Sequence, residues 1–378
     1  MNKLPFRILK EAKNLKGKRV ILRLDLNLPT EGGVIQNDFR LRRAIPTMEF
    51  LKNSGAKIIV ISHTDAPEYG LKPIARYLNK TTSVGFVPSV TGPLVRSAVS
   101  QLSDGGAVVL ENLRTDKGEE KNSFKFAKEL ASMADIYVNE DFATSHRRHA
   151  SIVSLPELLP SYAGLLFEEE YRHLRKFLKP RKPFFFILGG AKLETKIPLI
   201  KRYLPVAFSV FIGGALANSF FKTKGYEMGK SVVGKLLPDI NFLLKNKKIL
   251  LPTDVRILSG STISPRNLSS KDKIVDIGPM ALAELKKKIS KAKSVLFNGP
   301  VGIYNEGFGW GTEEILKLLA KSKAEIVLGG GDTLAVVSKL KLENKFSFVS
   351  TAGGAMLEFL AEGTLPGIEA LKKKRDQS

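Results

Sequence analysis

The sequence predicts an α/β protein made of two doubly wound, parallel-sheet (Rossmann-like) domains, joined by a connector helix and facing each other across a cleft. Three observations predict it. Short apolar runs alternate with amphipathic stretches of helix length. The runs are continuous instead of alternating apolar with polar, as in parallel strands covered on both faces. Finally, 378 residues at roughly 150 per domain divide most simply into two.

In the first half the strand candidates are VILRLDLN (20–27), KIIVISH (57–63), AVVLEN (107–112) and DIYVNED (135–141). In the second half they are FFFILGG (184–190), FSVFIGG (208–214), KILLPTD (248–254), SVLFNGP (294–300), EIVLGGGD (325–332) and FSFVSTAGG (346–354). Between the halves, AGLLFEEEYRHLRKFLK (163–179) reads as one helix, set off by Pro156 and Pro160 before it and Pro180 and Pro183 after it. Its acids, Glu168 to Glu170, come first and its bases, Arg172, Arg175, Lys176 and Lys179, come last, as the helix dipole favours. The expected division is a substrate domain over 1–162, a connector helix over 163–180, a nucleotide domain over 181–358, and a C-terminal segment, 359–378, returning to the first domain.

Composition excludes several classes. There is no cysteine, so no disulfide scaffold, thiol nucleophile or thiolate-bound metal is available. No apolar run approaches the roughly 18 residues of a membrane helix. The N-terminus lacks the apolar segment of a secretory signal. The expectation is a soluble, cytoplasmic monomer. Sixty Lys and Arg against 37 Asp and Glu give a net charge of +23. Much of it lies in tracts such as KNKK (245–248), KKKISKAK (286–293) and KKKR (372–375), which read as solvated helix faces or a tail. Basic charge attracts any polyanion, so it does not by itself indicate a specific nucleic acid, and none is expected.

Ligands of open α/β sheets bind beyond the carboxyl ends of the strands. First-half strands run into polar and charged groups: Arg23, Asp25 and Asn27, His63, Asn112 and Arg114, Asn139 and then His146, Arg147, Arg148 and His149. Arginine forks bind phosphate and carboxylate bidentately. Arg40, Arg114 and Arg147 together with His63 and Asp25 point to a small, doubly anionic substrate bearing a hydroxyl. Second-half strands run into glycine: Gly189-Gly190, Gly213-Gly214, Gly299, Gly329 to Gly331, and Gly353-Gly354. Glycine there lets a phosphate approach the amides of a helix N-terminus. Lys192 and Lys196, four residues apart, are expected on one face of the helix after Gly189-Gly190, aimed at a polyphosphate. Asp332 is placed to hold Mg²⁺ against phosphate oxygens. Neither a P-loop nor a G-x-G-x-x-G dinucleotide fingerprint is present. One half built for a nucleotide and one for a small anion, with a connector between, is the layout of a hinge-closing kinase.

These motifs carry a resemblance. LRLDLNLP (22–29), NDFRLRRAIPT (37–47), LENLR (110–114), DIYVNEDFATSHRRHAS (135–151), ILGGAKLETKI (187–197), IGGALANSFF (212–221), LPTD (251–254), DIGP (276–279), NGPVGIYN (298–305), VLGGGDT (327–333) and VSTAGGAMLE (349–358) occur in this order. The sequence resembles the phosphoglycerate kinases over essentially its whole length. The resemblance implies a glycolytic enzyme moving the γ-phosphoryl of MgATP reversibly onto the carboxylate of 3-phosphoglycerate, giving the acyl phosphate and MgADP. It implies Arg40 on the acceptor carboxylate and Lys192 on the transferring group. Asp25, Asn27, His63, Arg114 and Arg147 become substrate ligands. Lys196, Gly213, Gly214, Asn298, Pro300, Gly302, Asn305, Gly330, Gly331, Asp332 and Thr333 fall on the nucleotide site, with Asp332 toward the metal. Gly353 and Gly354 open the helix whose amides face the moving phosphoryl group.

Three departures stand out. Where the family reads SHLGRP, this chain reads SHTDAP (62–67): Ala66 replaces an arginine that grips the substrate phosphate, and Asp65 adds a negative charge. Losing a charge-assisted bond of ~1.5–3 kcal/mol weakens binding roughly ten- to a hundred-fold, unless Arg148, where the family has alanine, takes over. The glutamate expected on the ribose is Asn305, with Glu306 beside it. Ala215 and Ala352 replace glycines, which is tolerable only at negative φ. The alternatives are a divergent paralogue with altered phosphate recognition and, from another class, a polyanion-binding protein.

Overall fold

Leucine- and β-branched-rich runs of the first part form β1 (Arg19–Arg23), β2 (Lys57–Ile61), β3 (Gly85–Val87), β4 (Ala107–Leu110), β5 (Ile136–Asn139) and β6 (Ser161–Ala163). The computed structural model describes residues 4–66 and 68–376, the side chains of 373–376 excepted. Across the sheet the order is β3-β4-β2-β1-β5-β6, and every pair is parallel. Successive residues of a strand face opposite sides. Val20 and Leu22 of β1 accordingly enter one core, with Ile58 and Val60 of β2, while Ile21, Ile59 and Ile61 enter another on the opposite face. Both faces being covered is why the runs read as continuous.

The strands are shorter than their runs. Beyond Arg23 a side chain replaces the ladder: the Ser62 hydroxyl donates to Leu24 O (2.7 Å) and accepts from Leu26 N (3.0 Å). β3 and β6, three residues each, carry too little sequence to show a period and were not among the expected strands.

The second part forms β7 (Phe184–Leu188), β8 (Ser209–Ile212), β9 (Ile249–Leu250), β10 (Ser294–Asn298), β11 (Glu325–Gly329) and β12 (Phe348–Val349). Their order is β9-β8-β7-β10-β11-β12, again all parallel. The chain starts in the middle, moves outward one way, then returns and moves outward the other way. The topological switch point of this doubly wound sheet lies between β7 and β10. A small antiparallel sheet of Val255–Ile257, Thr262–Ile263 and Ile274–Ile277 is additional to the expected parallel strands.

The chain divides into one unit that runs to Arg172 and resumes at Thr364, and a second from His173 to Gly363. The helix α1 (Leu165–Phe177) contributes residues to both. The C-terminal helix α2 (Pro366–Asp376) packs in the first unit on the helix Ser154–Leu158 and on β6. There Gly367 comes so close that an added Cβ would lie 2.7 Å from Ser145 Oγ.

A buried carboxyl starts α1. Glu140, just past β5, accepts from Leu166 N (2.9 Å), Phe167 N (3.3 Å) and the Thr47 hydroxyl. A Cβ at Gly164 would lie 1.9 Å from Glu140 Oε2, so the turn admits only glycine. Burial pushes the Glu140 carboxyl up to about 8, against the lowering effect of these donors. Its ordinary value is 4.5, so the folded state holds a proton that the unfolded state has lost, and stability falls as pH rises through that window. Glu140→Gln, which cannot ionise, removes this part of the decline. Urea denaturation at pH 5 and pH 8.5 should show the substituted protein gaining at least about 1 kcal/mol relative to the original across that interval. An identical pH dependence would contradict the assignment.

Candidate active site

Arg23, the last residue of β1, is completely buried, and the first unit's polar site is built around it. Its Nη1 pairs with Asp141 Oδ2 at 2.9 Å and donates to Leu24 O at 2.5 Å. Nε donates to Ser151 Oγ at 3.1 Å, and Nη2 lies 3.0 Å from His63 Nδ1. Ser151 in turn donates through Oγ to Glu119 Oε1 (2.6 Å) and accepts at its carbonyl from the Tyr137 hydroxyl (2.7 Å). The sequence grouped Arg23 with the ligand-facing arginines. The structure corrects this: a guanidinium so enclosed positions its neighbours and reaches no ligand.

His63 shows the effect. Burial, followed by the charges of Arg23, Arg114 and Arg147, lowers its pKa far below the ordinary range. The ring is neutral, and since a guanidinium only donates, Nδ1 accepts and Nε2 carries the proton.

Asp25, Asn27 and Arg40 form the next group. Arg40 Nη1 lies 3.3 Å from Asp25 Oδ2 and donates to Asn27 O at 3.3 Å, while Asp25 Oδ1 accepts from Asn27 N at 3.2 Å. Burial pushes the Asp25 carboxyl up to about 6 even though Arg40 opposes it. The Asn27 side chain is bonded both ways to Asp65: Nδ2 donates to Oδ2 (2.7 Å) and Oδ1 accepts from Asp65 N (3.0 Å). Asp65 also pairs with Arg114. Arg114 is set by Asn112, whose Oδ1 accepts from Arg114 N (3.1 Å) and Thr64 N (3.2 Å) while Nδ2 donates to Thr64 O (3.0 Å). Asn112 thus latches the exits of β2 and β4 together. A cavity of about 520 Å³ lies beside these groups, lined by Thr64, Asp65, Tyr69, Glu111, Asn112 and Arg114 among others. Pro67, the end of the SHTDAP motif, lies outside the described residues.

In the second unit the loops after β7 and β10 touch at the switch point. Gly189 N donates to Asn298 O (2.8 Å) and Gly190 N to Pro300 O (2.7 Å). A Cβ at Gly189 would sit 2.1 Å from Pro300 O, so no other residue lets the two loops close. Lys196 Nζ is buried against them and donates to Gly189 O at 2.5 Å. Burial pushes the Lys196 amine down to about 8, with Asp332 opposing, so it remains charged at neutral pH. Gly330 at φ +101° starts the helix α3 (Gly331–Lys339), and Thr333 Oγ1 accepts from Gly299 N at 3.1 Å. Asn298 Nδ2 is buried with no hydrogen-bond partner.

A cavity of about 280 Å³ opens here. Of the expected nucleotide residues, Gly214, Pro300, Gly302, Asn305 and Asp332 line it directly. Lys196, Asn298, Gly330 and Thr333 adjoin through the contacts just given, Gly213 precedes the helix Gly214–Thr223, and Gly331 begins α3. Gly353 and Gly354 open the helix Gly354–Glu362 away from this lining. Glu306 lines the cavity beside Asn305 and is paired with Lys273 at 2.6 Å. Neither Ala215 nor Ala352 has positive φ, the condition under which they replace glycine without strain.

A second expectation is corrected. Lys192 and Lys196 do not share a helix face, because the helix runs over Ile197–Tyr203 only. Pro198 is favourable in a first turn but not inside a helix, so the helix begins beside it. Lys196 caps it, and Lys192 lies exposed in the preceding loop. Asp276 went unnoticed as a site residue. Buried, with its carboxyl pushed up to about 6 by that burial, it accepts from Gly311 N at 2.7 Å and packs under Gly302, where a Cβ would come within 2.6 Å of it. Its only signal was membership of the DIGP segment.

A family profile described as phosphoglycerate kinase matches residues 9–363. The chain belongs to the phosphoglycerate kinase family. The phosphoglycerate kinase of Leptospira biflexa serovar Patoc is 39% identical over 390 residues, which cover 97% of this chain and 98% of that protein. That of Pelotomaculum thermopropionicum is 38% identical over 384 residues, 96% of this chain and 98% of the other. Among solved structures, phosphoglycerate kinase from Pyrococcus horikoshii superposes with a TM-score of 0.88 at 30% identity, over 98% of this chain and all of that one (100%). The Coxiella burnetii enzyme gives 0.82 at 34%, over 99% and 100%. The function is that of the family, a kinase exchanging a phosphoryl group between ATP and the carboxylate of 3-phosphoglycerate. The divergent-paralogue and polyanion-binding readings are not favoured.

Replacing Arg23 by methionine keeps the volume but strands the buried Asp141 carboxylate. That should cost about 3–5 kcal/mol of stability, read by urea denaturation, and a loss below 1 kcal/mol would show that the pair does not organise the site.

Proposed function

We propose that the first unit binds 3-phosphoglycerate and the second binds MgATP or MgADP. The supporting observation is the contrast between the strand ends: paired guanidinium, imidazole and amide groups in one unit, glycine-framed loops around a buried lysine in the other. In this reading Arg114, Arg147, His63 and Asn27 hold the phosphoglycerate. Arg40, paired with Asp25 when no acceptor is present, binds its carboxylate. That carboxylate is ionised at neutral pH, so no general base is needed, and the barrier is repulsion between anions.

Lys196 and the amides at the starts of the helices from Gly214 and Gly331 hold the nucleotide phosphates. Lys192, exposed in its loop, and the amides at Gly353 and Gly354 take the charge that develops on the moving group. Among the described residues no three His, Asp or Glu side chains cluster as a resident metal centre. Of the carboxylates lining the cavity, Asp276 is bonded to backbone amides and Glu306 is paired with Lys273, which leaves Asp332 to suit an ion that arrives with the nucleotide and keeps phosphate and water oxygens. Magnesium there would neutralise charge on the β- and γ-phosphates. Direct transfer requires the two substrates to meet in turnover, so closure on substrate belongs to the reading, as do a monomeric state and a cytoplasmic, glycolytic setting. Among the described residues no helix is long and apolar enough to cross a membrane.

Coupled-assay turnover with 3-phosphoglycerate and MgATP tests the roles. Arg40→Ala and Lys192→Ala should each lower kcat by roughly a hundred- to a thousand-fold, and a loss under threefold in either would remove that residue from the mechanism. Arg148, exposed beside Arg147, is assigned to the substrate phosphate in place of the arginine missing at Ala66. Arg148→Ala should raise KM for 3-phosphoglycerate about tenfold; an unchanged KM excludes it.

A further inference from the structure

Asp65 carries a charge of the wrong sign for a site that binds an anionic substrate, and its surroundings explain how it is accommodated. Its carboxylate accepts from Asn27 Nδ2 at 2.7 Å and pairs with Arg114, while its backbone N–H donates to Asn27 Oδ1 at 3.0 Å. Partial burial pushes the carboxyl up, but the bonds from Asn27 and Arg114 and the charge of Arg147 outweigh that and hold it below the ordinary carboxylate range. Three groups assigned to the substrate therefore act on one resident anion. The two side chains of the pair are unequally buried. The Asp65 side chain is 58% exposed and that of Arg114 14%, so Asp65 can turn into solvent at little cost to itself, whereas Arg114 stays, its Nε 3.4 Å from Glu120 Oε1, and offers its freed Nη1 to an incoming anion. The adjoining cavity of about 520 Å³ leaves space for the exchange.

We propose that Asp65 is an internal competitor for the substrate's anionic group. It occupies Arg114 and Asn27 in the empty site and must be displaced when the substrate binds. The proposal rests on the first unit being the 3-phosphoglycerate site. Its physical content is an exchange of anions. While the site is empty, Asp65 relieves the repulsion between Arg114 and Arg147 and keeps Asn27 and Arg114 oriented. On binding, the phosphate takes over donors that the carboxylate must first release, so net affinity is reduced. A dianionic phosphate displaces Asp65 more readily than a monoanion, because it offers the two guanidinium groups more charge. Asp65 thereby sets both affinity and selectivity for the doubly charged form.

Calorimetric titration of the full chain with 3-phosphoglycerate, and separately with sodium sulfate, tests this in the original protein, Asp65→Asn and Asp65→Gly. The first substitution keeps an oxygen for Asn27 but has no charge for Arg114, and the second removes the side chain entirely. Both should bind sulfate and 3-phosphoglycerate roughly three- to tenfold more tightly, the range expected for freeing a partly exposed ion pair and removing a like charge. Unchanged or weaker sulfate binding in both would overturn the proposal and leave Asp65 as a positioning residue for Asn27. Tighter sulfate binding with no 3-phosphoglycerate binding by any of the three proteins would sustain the role of Asp65 and refute the substrate assignment instead.

Discussion

A parallel sheet covered on both faces leaves polar groups only its strand ends, and ligands of such sheets bind at the carboxyl edge. Both units obey this constraint, and the site follows from it. With Val20 and Leu22 committed to one core and Ile21 to the other, the first residue of β1 free to carry a charge inward is Arg23, where the strand ends. In the second unit the same edge falls at the switch point, where β7 and β10 diverge and their loops must touch. The first unit fills its edge with side chains, and the second empties it down to backbone.

The two solutions treat a buried cation differently. Arg23 is satisfied internally by Asp141, Ser151, a carbonyl and His63. Its charge is consumed in holding other groups, and it fixes the histidine tautomer. Lys196 is buried with one carbonyl as its partner, and that burial, only partly offset by the field of Asp332, is why its proton is held less firmly. A guanidinium is never deprotonated and suits permanent architecture. An ammonium pushed down to about 8 has charge still to give to a phosphate.

The strand runs, their parallel arrangement and most strand ends were legible in the sequence because the double-sided core writes a continuous apolar signal. What escaped has identifiable causes. The edge strands β3 and β6 are too short to carry a period. The pairing of Lys192 with Lys196 assumed a helix reaching back to the glycines, and Pro198 starts it later. Arg23 looked like Arg40 or Arg114 because a strand-end arginine gives no local sign of whether it points into the sheet or out of it. Asn112 and Asp276 act by holding backbone amides, and that role leaves no pattern of residue types. Asp65 was visible as an odd charge, but its partners come from three separate loops.

The charge of +23 poses the same question on the scale of the whole chain, and the fold answers it by location. Lys286, Lys287 and Lys288 occupy the last turn of the helix Pro279–Ile289, where the dipole favours them. Lys248 donates to Leu204 O and Pro205 O at 3.0 and 3.1 Å, closing the end of the helix Ile197–Tyr203. In KKKR only Lys372 has a described side chain, and it pairs with Glu369 at 2.6 Å. Such charges are solvated and screened within about 10 Å, so they raise the local concentration of any anion without choosing among anions. The cations at the strand ends are few and either enclosed or already paired: Arg23 with Asp141, Lys196 on the Gly189 carbonyl, and Arg114 with Asp65. Enclosure and pairing, which differ from cation to cation, are what could tell one anion from another; a diffuse surplus of solvated charge attracts all of them alike.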